Sequence, residues 1–262
     1  MSKPKVSIIT ANYNCEKFIS QTIDSVINQK FRDWEFIIAD DGSTDKSISI
    51  IQDKFKYLDN VKLIKIKNNS GPANARNEAL KEAQGKFISF IDSDDLWKAE
   101  FLEKMIHFME KNKIAFAFSS YYRINEKGDK IDQYIVPKKV SYNSILKSCP
   151  ICPLTAIYDA SITGKIPMPE IPLREDYGLF INLLKKTKFA YAVKKPLAFY
   201  RIRKGSVSSN KFRIAKKQWQ VYRKYERLSL IKSLYYFLNY IILSVFKYGR
   251  VFLNSCKLKQ KS

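Results

Sequence analysis

Histidine is nearly missing: His107 is the one example in 262 residues. It sits in an amphipathic stretch and reads as a packing or surface residue, which leaves Ser-His-Asp chemistry and histidine-rich metal centres without raw material. The four cysteines, Cys15, Cys149, Cys152 and Cys256, are scattered, so no disulfide framework is expected. Cys149-Pro150-Ile151-Cys152 has the spacing of half a zinc site, but no second Cys or His pair completes it. No Gly-x-Gly-x-x-Gly and no Gly-Lys-Ser/Thr occurs, which removes the main support for dehydrogenase-like and Walker-type readings. No internal repeat stands out, and Met1 to Lys5 run into an apolar strand without the pattern of a secretory leader, so a cytoplasmic location is expected. Acids are also short: 25 Asp and Glu against 47 Lys and Arg give a formal charge of +22, an attraction for polyanions whose position along the chain matters.

What is present is an alternation. Val6 to Ala11 is a β-branched run, followed by Phe18, Ile19, Ile23, Val26 and Ile27 at helical spacing. Trp34 to Ala39 repeats the strand pattern, and Ile48, Ile51 and Phe55 mark a second helix with Ser43 or Thr44 as its N-cap. Val61 to Ile66 is a third strand, Ala73 to Gln84 a third helix stopped by Gly85, and Phe87 to Ile91 a fourth strand. A helix to about Lys111 and a strand near Ile114 to Tyr121 follow, then an irregular middle punctuated by Lys and Pro. The expected fold is α/β, with a mostly parallel central sheet flanked by helices.

Ligands of such sheets bind beyond the carboxyl ends of the strands. Each of those ends is polar here: Asn12-Tyr13-Asn14, Asp40-Asp41-Gly42-Ser43, Asn68-Asn69-Ser70-Gly71 and Asp92-Ser93-Asp94-Asp95. The last group sets carboxylates two residues apart at the mouth of a buried strand, the donor type that hard divalent cations take. The competing reading is that these acids cap a helix starting near Leu96, and Asp95 suits that part. Three acids in four residues repel one another, however, unless a cation joins them. Gly71-Pro72-Ala73-Asn74-Ala75-Arg76-Asn77 allows close backbone approach and puts an Arg at a helix start, both suited to phosphate.

In their order along roughly Lys5 to Ser209, these motifs together with Arg174-Glu175-Asp176 resemble those of the bacterial family 2 glycosyltransferases, inverting enzymes of the GT-A fold. The resemblance implies that Ala11, Asn12, Tyr13 and Asp41 hold uridine, and that Gly71, Asn74 and Arg76 lie near the diphosphate or base. It implies that Asp92 and Ser93 line the nucleotide-sugar, with Asp92 facing ribose, and that Asp94, with Asp92, ligates Mn²⁺ or Mg²⁺. Asp176 is implied as the base that takes a proton from the acceptor hydroxyl. Tyr200-Arg201 and Gly205 to Ser209 resemble a late loop motif in which Arg201 adds positive charge over the leaving group. The implied donor is a UDP-sugar carrying a hexose or N-acetylhexosamine, and the implied acceptor a polyprenyl-diphosphate-linked saccharide of polysaccharide or O-antigen assembly.

Residues 1–209 are therefore expected to form the catalytic domain, nucleotide-binding to about 97 and acceptor-binding from about 98, with 210–262 a helical extension. Lys211, Arg213, Lys216, Lys217, Arg223, Lys224 and Arg227 meet one acid, Glu226, before the apolar run Leu234 to Phe246. That run covers about 20 Å as a helix against a hydrocarbon core of about 30 Å. A helix lying on an anionic membrane at the inner face of the cell is expected, released by truncation after Ser209. The alternative is a helix packed on the protein's own core. A sugar nucleotidyltransferase is the nearest enzymatic rival but gives no reason for the Glu175-Asp176 pair. Nucleic acid is not expected as a partner, because acids line the predicted site while the bases gather in the extension.

Overall fold

The computed structural model describes residues 3–203 and 211–259, with side chains from 213 to 244 in the second stretch. Gly205 to Ser209 and the expected boundary at 209 lie outside the described residues. The first half is β1 (Val6–Asn12), α1 (Ile19–Ile27), β2 (Trp34–Asp40), α2 (Ser47–Phe55), β3 (Val61–Lys65), α3 (Pro72–Glu82) and β4 (Phe87–Phe90). These four strands pair in parallel in the order β3-β2-β1-β4, so β1 lies between strands reached in opposite directions along the chain. That switch point brings the ends of β1 and β4 side by side, where a crevice opens.

The strands read as continuous apolar runs because both faces are covered. Along β1, Val6 and Ile8 pack with Ile19, Ile23 and Val26 of α1, whereas Ile9 faces Ala75, Ala79 and Leu80 of α3. In register, Ile8 pairs with Phe36 and Asn12 with Asp40, so the last polar residue of each strand reaches the same rim.

The second half extends the sheet with β5 (Leu96–Trp97), α4 (Phe101–Lys111), β6 (Phe116–Ile124), β7 (Lys130–Tyr134), β8 (Lys139–Ser141), α5 (Tyr142–Lys147), β9 (Ile157–Asp159), α6 (Ala160–Thr163), α7 (Glu175–Thr187) and β10 (Phe189–Arg201). β9 adds antiparallel to β4, and β6 then carries the long parallel partner β10. β10 has no counterpart in the sequence reading, since Lys194, Lys195 and Pro196 interrupt its apolar pattern. The structure accommodates them with register shifts between Val193 and Ala198, the usual place for Pro in a strand. The chain ends in α8 (Lys211–Gln220), a π-helical turn at Val221–Tyr225, and α9 (Leu230–Lys259).

Three local expectations are corrected. Neither Ser43 nor Thr44 caps α2, which starts at Ser47; Asp45 accepts the Ser47 N–H at 2.9 Å instead. No helix starts at Leu96, because β5 intervenes before α4. Gly85 does not terminate α3, which ends at Glu82 with Ala83 following in an extended conformation. Glycine is required at position 85 by a close approach: a Cβ there would stand 2.5 Å from the Ser7 nitrogen and 2.7 Å from the Val6 carbonyl carbon. Backbone atoms in the middle of the sheet cannot yield as a side chain can. Gly85→Ala should cost about 1–3 kcal/mol, read as a Tm drop of several degrees; an unchanged Tm would show that β1 can shift.

Candidate active site

The first two strand ends are cross-braced by hydrogen bonds. Asn12 is buried and donates to the Asp40 carboxylate at 2.7 Å, while Asp40 also accepts from the Ser43 N–H at 2.9 Å and the Ser43 hydroxyl at 2.6 Å. The Asn12 carbonyl oxygen on its side chain is buried without a partner. Tyr13, one residue on, is about half exposed, and Ala11 is half-buried at the rim. Asp41 reaches across to the third loop, accepting from the Ser70 N–H and hydroxyl at 2.9 Å each and from the Gly71 N–H at 2.7 Å. Gly71 has φ +93°, a conformation other residues avoid, which lets the chain turn into α3 behind Pro72. Asn74 closes this turn by donating to the Ser70 hydroxyl at 2.8 Å.

Arg76 points inward. It is buried, pairs with the Asp92 carboxylate, and leans on the Met168 sulfur, while its Nε has no partner. Burial works against its charge, but Asp92 first and then Glu175 and Asp176 more than compensate, so its proton is held more tightly than usual. One buried guanidinium thus stands in the field of acids from two distant segments. Asn77, on the same helix, exchanges hydrogen bonds with the backbone of Met168 at 2.8 and 2.9 Å and so anchors the Pro-rich loop leading to Asp176.

In the fourth loop the Ser93 carbonyl accepts from Thr22 at 2.9 Å and from the Cys15 thiol at 3.3 Å, which ties the acids to α1. Asp94 pairs with Arg203 at 2.6 Å, and burial followed by the charge of Asp92 pushes its carboxyl above the usual range. Asp95 is deeper: one oxygen accepts the Arg201 N–H at 2.7 Å, the other has no partner, and burial with Asp94 and Asp92 raises it well above an ordinary Asp. The helix-cap role considered for Asp95 is therefore replaced by a bond to β10.

Arg201, for which the resemblance implied a charge over the leaving group, makes hydrogen bonds within the protein. Its Nε donates to the Asp94 carbonyl at 2.7 Å, Nη1 to the Glu126 carbonyl at 3.0 Å and Nη2 to Gln21 at 2.9 Å, and the guanidinium lies 4.7 Å from the Phe18 ring. Through these bonds it buckles β10, α1 and the acid loop together. Arg203, two residues on and half exposed, is the arginine that faces an acid of the loop by its side chain. The sequence reading missed it, because it follows the end of β10, a strand that the sequence pattern did not reveal.

Asp176 stands in the first turn of α7, one oxygen accepting the Tyr177 N–H at 2.7 Å. Burial pushes its carboxyl above the ordinary value, opposed by that N–H, by Arg174 and by Arg76. Glu175 is raised too, chiefly by burial, and has one buried oxygen without a partner. The structure therefore brings Asn12, Asp41, Gly71, Asn74, Arg76 and the Asp92 to Asp95 loop onto one rim, and sets Asp176 within the field of Arg76 and Asp92.

Residues 7–158 match the family model described as glycosyl transferase family 2. The chain belongs to this family. It is a glycosyltransferase, and its central sheet with flanking helices is the GT-A fold of that family. Along its length it is similar to a Bacillus subtilis chain named as the teichuronic acid biosynthesis glycosyltransferase TuaG, with 42% identity over 91% of this chain and 95% of the relative. It is also similar to the Escherichia coli UDP-Glc:alpha-D-GlcNAc-diphosphoundecaprenol beta-1,3-glucosyltransferase WfgD, with 37% identity over 96% and 98%. Among solved structures it resembles Staphylococcus aureus TarS 1-349 in complex with UDP-GlcNAc, at a TM-score of 0.71 and 24% identity, covering 90% of this chain and 71% of that one. Residues 7–158 include all four strand-end loops of the rim, whereas Asp176 lies beyond them.

Proposed function

We propose that this glycosyltransferase is a metal-dependent inverting enzyme of cell-surface polysaccharide synthesis, moving a hexose or N-acetylhexosamine from a UDP-sugar to a hydroxyl of a polyprenyl-diphosphate-linked saccharide. The observation that carries the reading is Arg76, paired with Asp92 on the donor side while held by the charges of Glu175 and Asp176 on the other. Donor and acceptor chemistry so lie across one guanidinium. Ala11, Asn12, Tyr13 and Asp41 line the uridine end, with Gly71, Asn74, Asp92 and Ser93 along the nucleotide-sugar. Asp176 receives the proton of the acceptor hydroxyl as that oxygen attacks the anomeric carbon and UDP departs. TuaG and WfgD, named for a teichuronic acid and a diphosphoundecaprenol-linked acceptor, support the substrate class.

The residues at the fourth loop fit a divalent cation. Asp92 and Asp94 supply hard oxygen donors two residues apart, each now paired with an arginine, Arg76 and Arg203, whose place a stronger charge could take. Among the described residues no three His, Cys, Asp or Glu side chains form a closed ligand set. One or two carboxylates, with the substrate's phosphates completing the shell, is the arrangement that Mg²⁺ favours, and Mn²⁺ serves equally. Bound there, the ion would stabilise charge on the departing diphosphate.

Incubation of the enzyme with UDP-sugars, Mn²⁺ and a diphosphate-linked GlcNAc acceptor should release UDP and yield a glycosylated lipid. Release of pyrophosphate instead, from a sugar phosphate and a nucleoside triphosphate, would mark a nucleotidyltransferase.

Residues 1–209 act as the catalytic domain and 210–262 as the membrane-associating tail at the inner face of the cell membrane. Support comes from α9, which has two apolar stripes. Ser233, Tyr236, Phe237 and Tyr240 are buried or half-buried, whereas Ile231, Leu234, Leu238 and Ile242 are exposed. Each set follows helical spacing, so one face packs on the protein and the opposite face lacks cover. The two alternatives weighed from sequence are therefore compatible. No helix among the described residues is long and apolar enough to cross a membrane. Truncation after Ser209 is a poor test, because Val221 and Tyr222 belong to the main core and would leave with the tail. Replacing Ile231, Leu238 and Ile242 by Ser should instead weaken binding to phosphatidylglycerol vesicles by about tenfold for each side chain that inserts. Equal binding by the variant would remove the membrane role of this face.

A further inference from the structure

The tail does more than cover the core: it grips the helix that carries Asp176. At the far end of α7, Lys185 pairs with the buried Glu226 at 2.7 Å, and Glu226 also accepts from the Tyr142 hydroxyl. One turn nearer, Asn182 donates to the Tyr225 hydroxyl at 2.7 Å. At the head of α7, Arg174 donates through Nη2 to the Tyr240 hydroxyl at 3.0 Å. Its guanidinium carbon lies 5.6 Å from the ring centre of Tyr177 and 5.7 Å from that of Tyr240. Both ends of α7 are thus held by side chains from beyond residue 220.

The last of these contacts is the one next to the chemistry. Arg174 is the N-cap residue of α7, immediately before Glu175 and Asp176, and its side chain makes no capping bond. Its Nε is buried without a hydrogen-bond partner, and the contacts that fix the side chain are those to the Tyr240 hydroxyl and to the two rings. Tyr240 belongs to the protein-facing stripe of α9, on the same helix whose other stripe is exposed.

We propose that Arg174 is a positioning residue through which Tyr240 of the tail sets the first turn of α7, and with it Asp176, in register with the donor site. This rests on the reading of Asp176 as the base. The contact gives the tail a part in catalysis besides attachment, because α9 then seats the reacting carboxylate as well as the protein. It also follows that the hydroxyl of Tyr240, and not merely its ring, matters: the ring packs, but the hydroxyl fixes the direction of a planar fork.

The test is a kinetic series on the full-length enzyme with Arg174→Ala, Tyr240→Ala, Tyr240→Phe and the double alanine variant. A hydrogen bond to a charged group is lost in each, so kcat should fall about ten- to a hundredfold for the alanine variants and about three- to tenfold for Tyr240→Phe. The donor KM and the Kd for UDP should stay at their wild-type values, since neither side chain touches the nucleotide rim. The double variant should be little worse than either single one, as expected for partners in one contact. Tyr240→Phe keeps the ring and the packing, so it remains informative if the alanine variants unfold. Wild-type kcat in Tyr240→Phe, or a loss that appears in donor KM instead of kcat, overturns the proposal. The outcome is separable from the base assignment. Asp176→Asn inactive with Tyr240→Phe unimpaired removes the clamp alone, whereas an active Asp176→Asn removes the base and the clamp's purpose together.

Discussion

Asp176→Asn should lose transfer by about 10² to 10⁴ in kcat while still binding UDP. An Asn side chain offers the same oxygen to the Tyr177 N–H, so the first turn of α7 keeps its hydrogen bond and loses only basicity. The charge balance supplies a second, opposite expectation for stability. The folded Asp176 carboxyl is raised by burial, so its charged form is disfavoured relative to the unfolded chain. Stability linked to such a group is greatest at low pH and is lost as pH rises through the folded pKa. At neutral pH the aspartate is therefore a burden on the fold, and Asn should leave Tm unchanged or higher. A dead enzyme with an undiminished Tm and intact UDP affinity separates catalysis from folding. The raised carboxyl also predicts that the acid limb of the kcat profile lies above the ordinary Asp range. If Asp176→Asn turned over at the wild-type rate, Glu175, raised by burial beside it, becomes the next candidate and Glu175→Gln the next variant.

The nucleotide half of the fold was readable because its signals are local and repeated. Four apolar runs, each ending on polar residues and each followed by helical spacing, leave little choice beyond a parallel sheet with its site at the carboxyl edge. The second half was harder for a physical reason. β10 forms where Pro196 and two lysines break the pattern, and it is held by its long pairing with β6 across more than seventy residues of chain. Long-range pairing overrides local propensity there. The same limit applied to the site. Residue types showed that Asp95, Arg201 and Arg76 carry charge, but not where their partners lay. Asp95 and Arg201 joined β10 to the acid loop, a bond between residues 106 apart that no spacing rule anticipates. Arg203 went unnoticed for the same reason. Where a motif's neighbours are distant in sequence, pattern locates the residue and only the fold assigns its partner.

Asp94→Asn should reduce transfer by about 10² to 10³ and should also abolish the effect of Mn²⁺ on UDP affinity. Two readings of Asp94 compete. In one it is the ion-pair partner of Arg203, 2.6 Å away, and exists to hold the end of β10. In the other it is a cation ligand, and Arg203 stands beside it for want of a stronger charge. The first makes Asp94 a largely buried acid paired with a half-exposed arginine, a contact that holds the end of β10 and takes no part in binding the ion. The second gives a task to an acid set two residues from Asp92 and raised first by burial and then by the charge of Asp92. Calorimetric titration of UDP with and without Mn²⁺ distinguishes them. Wild type should bind UDP more tightly with the ion and lose turnover in a chelator, recovering it on addition of excess Mn²⁺ or Mg²⁺. Asp94→Asn should bind UDP equally with and without the ion, and Arg203→Ala should retain the ion's effect, because it removes a competitor for the carboxylate and no ligand. Full turnover of the wild-type enzyme in chelator would leave Asp94 to Arg203 alone. Arg203→Ala should then match Asp94→Asn, since two halves of one ion pair fail alike.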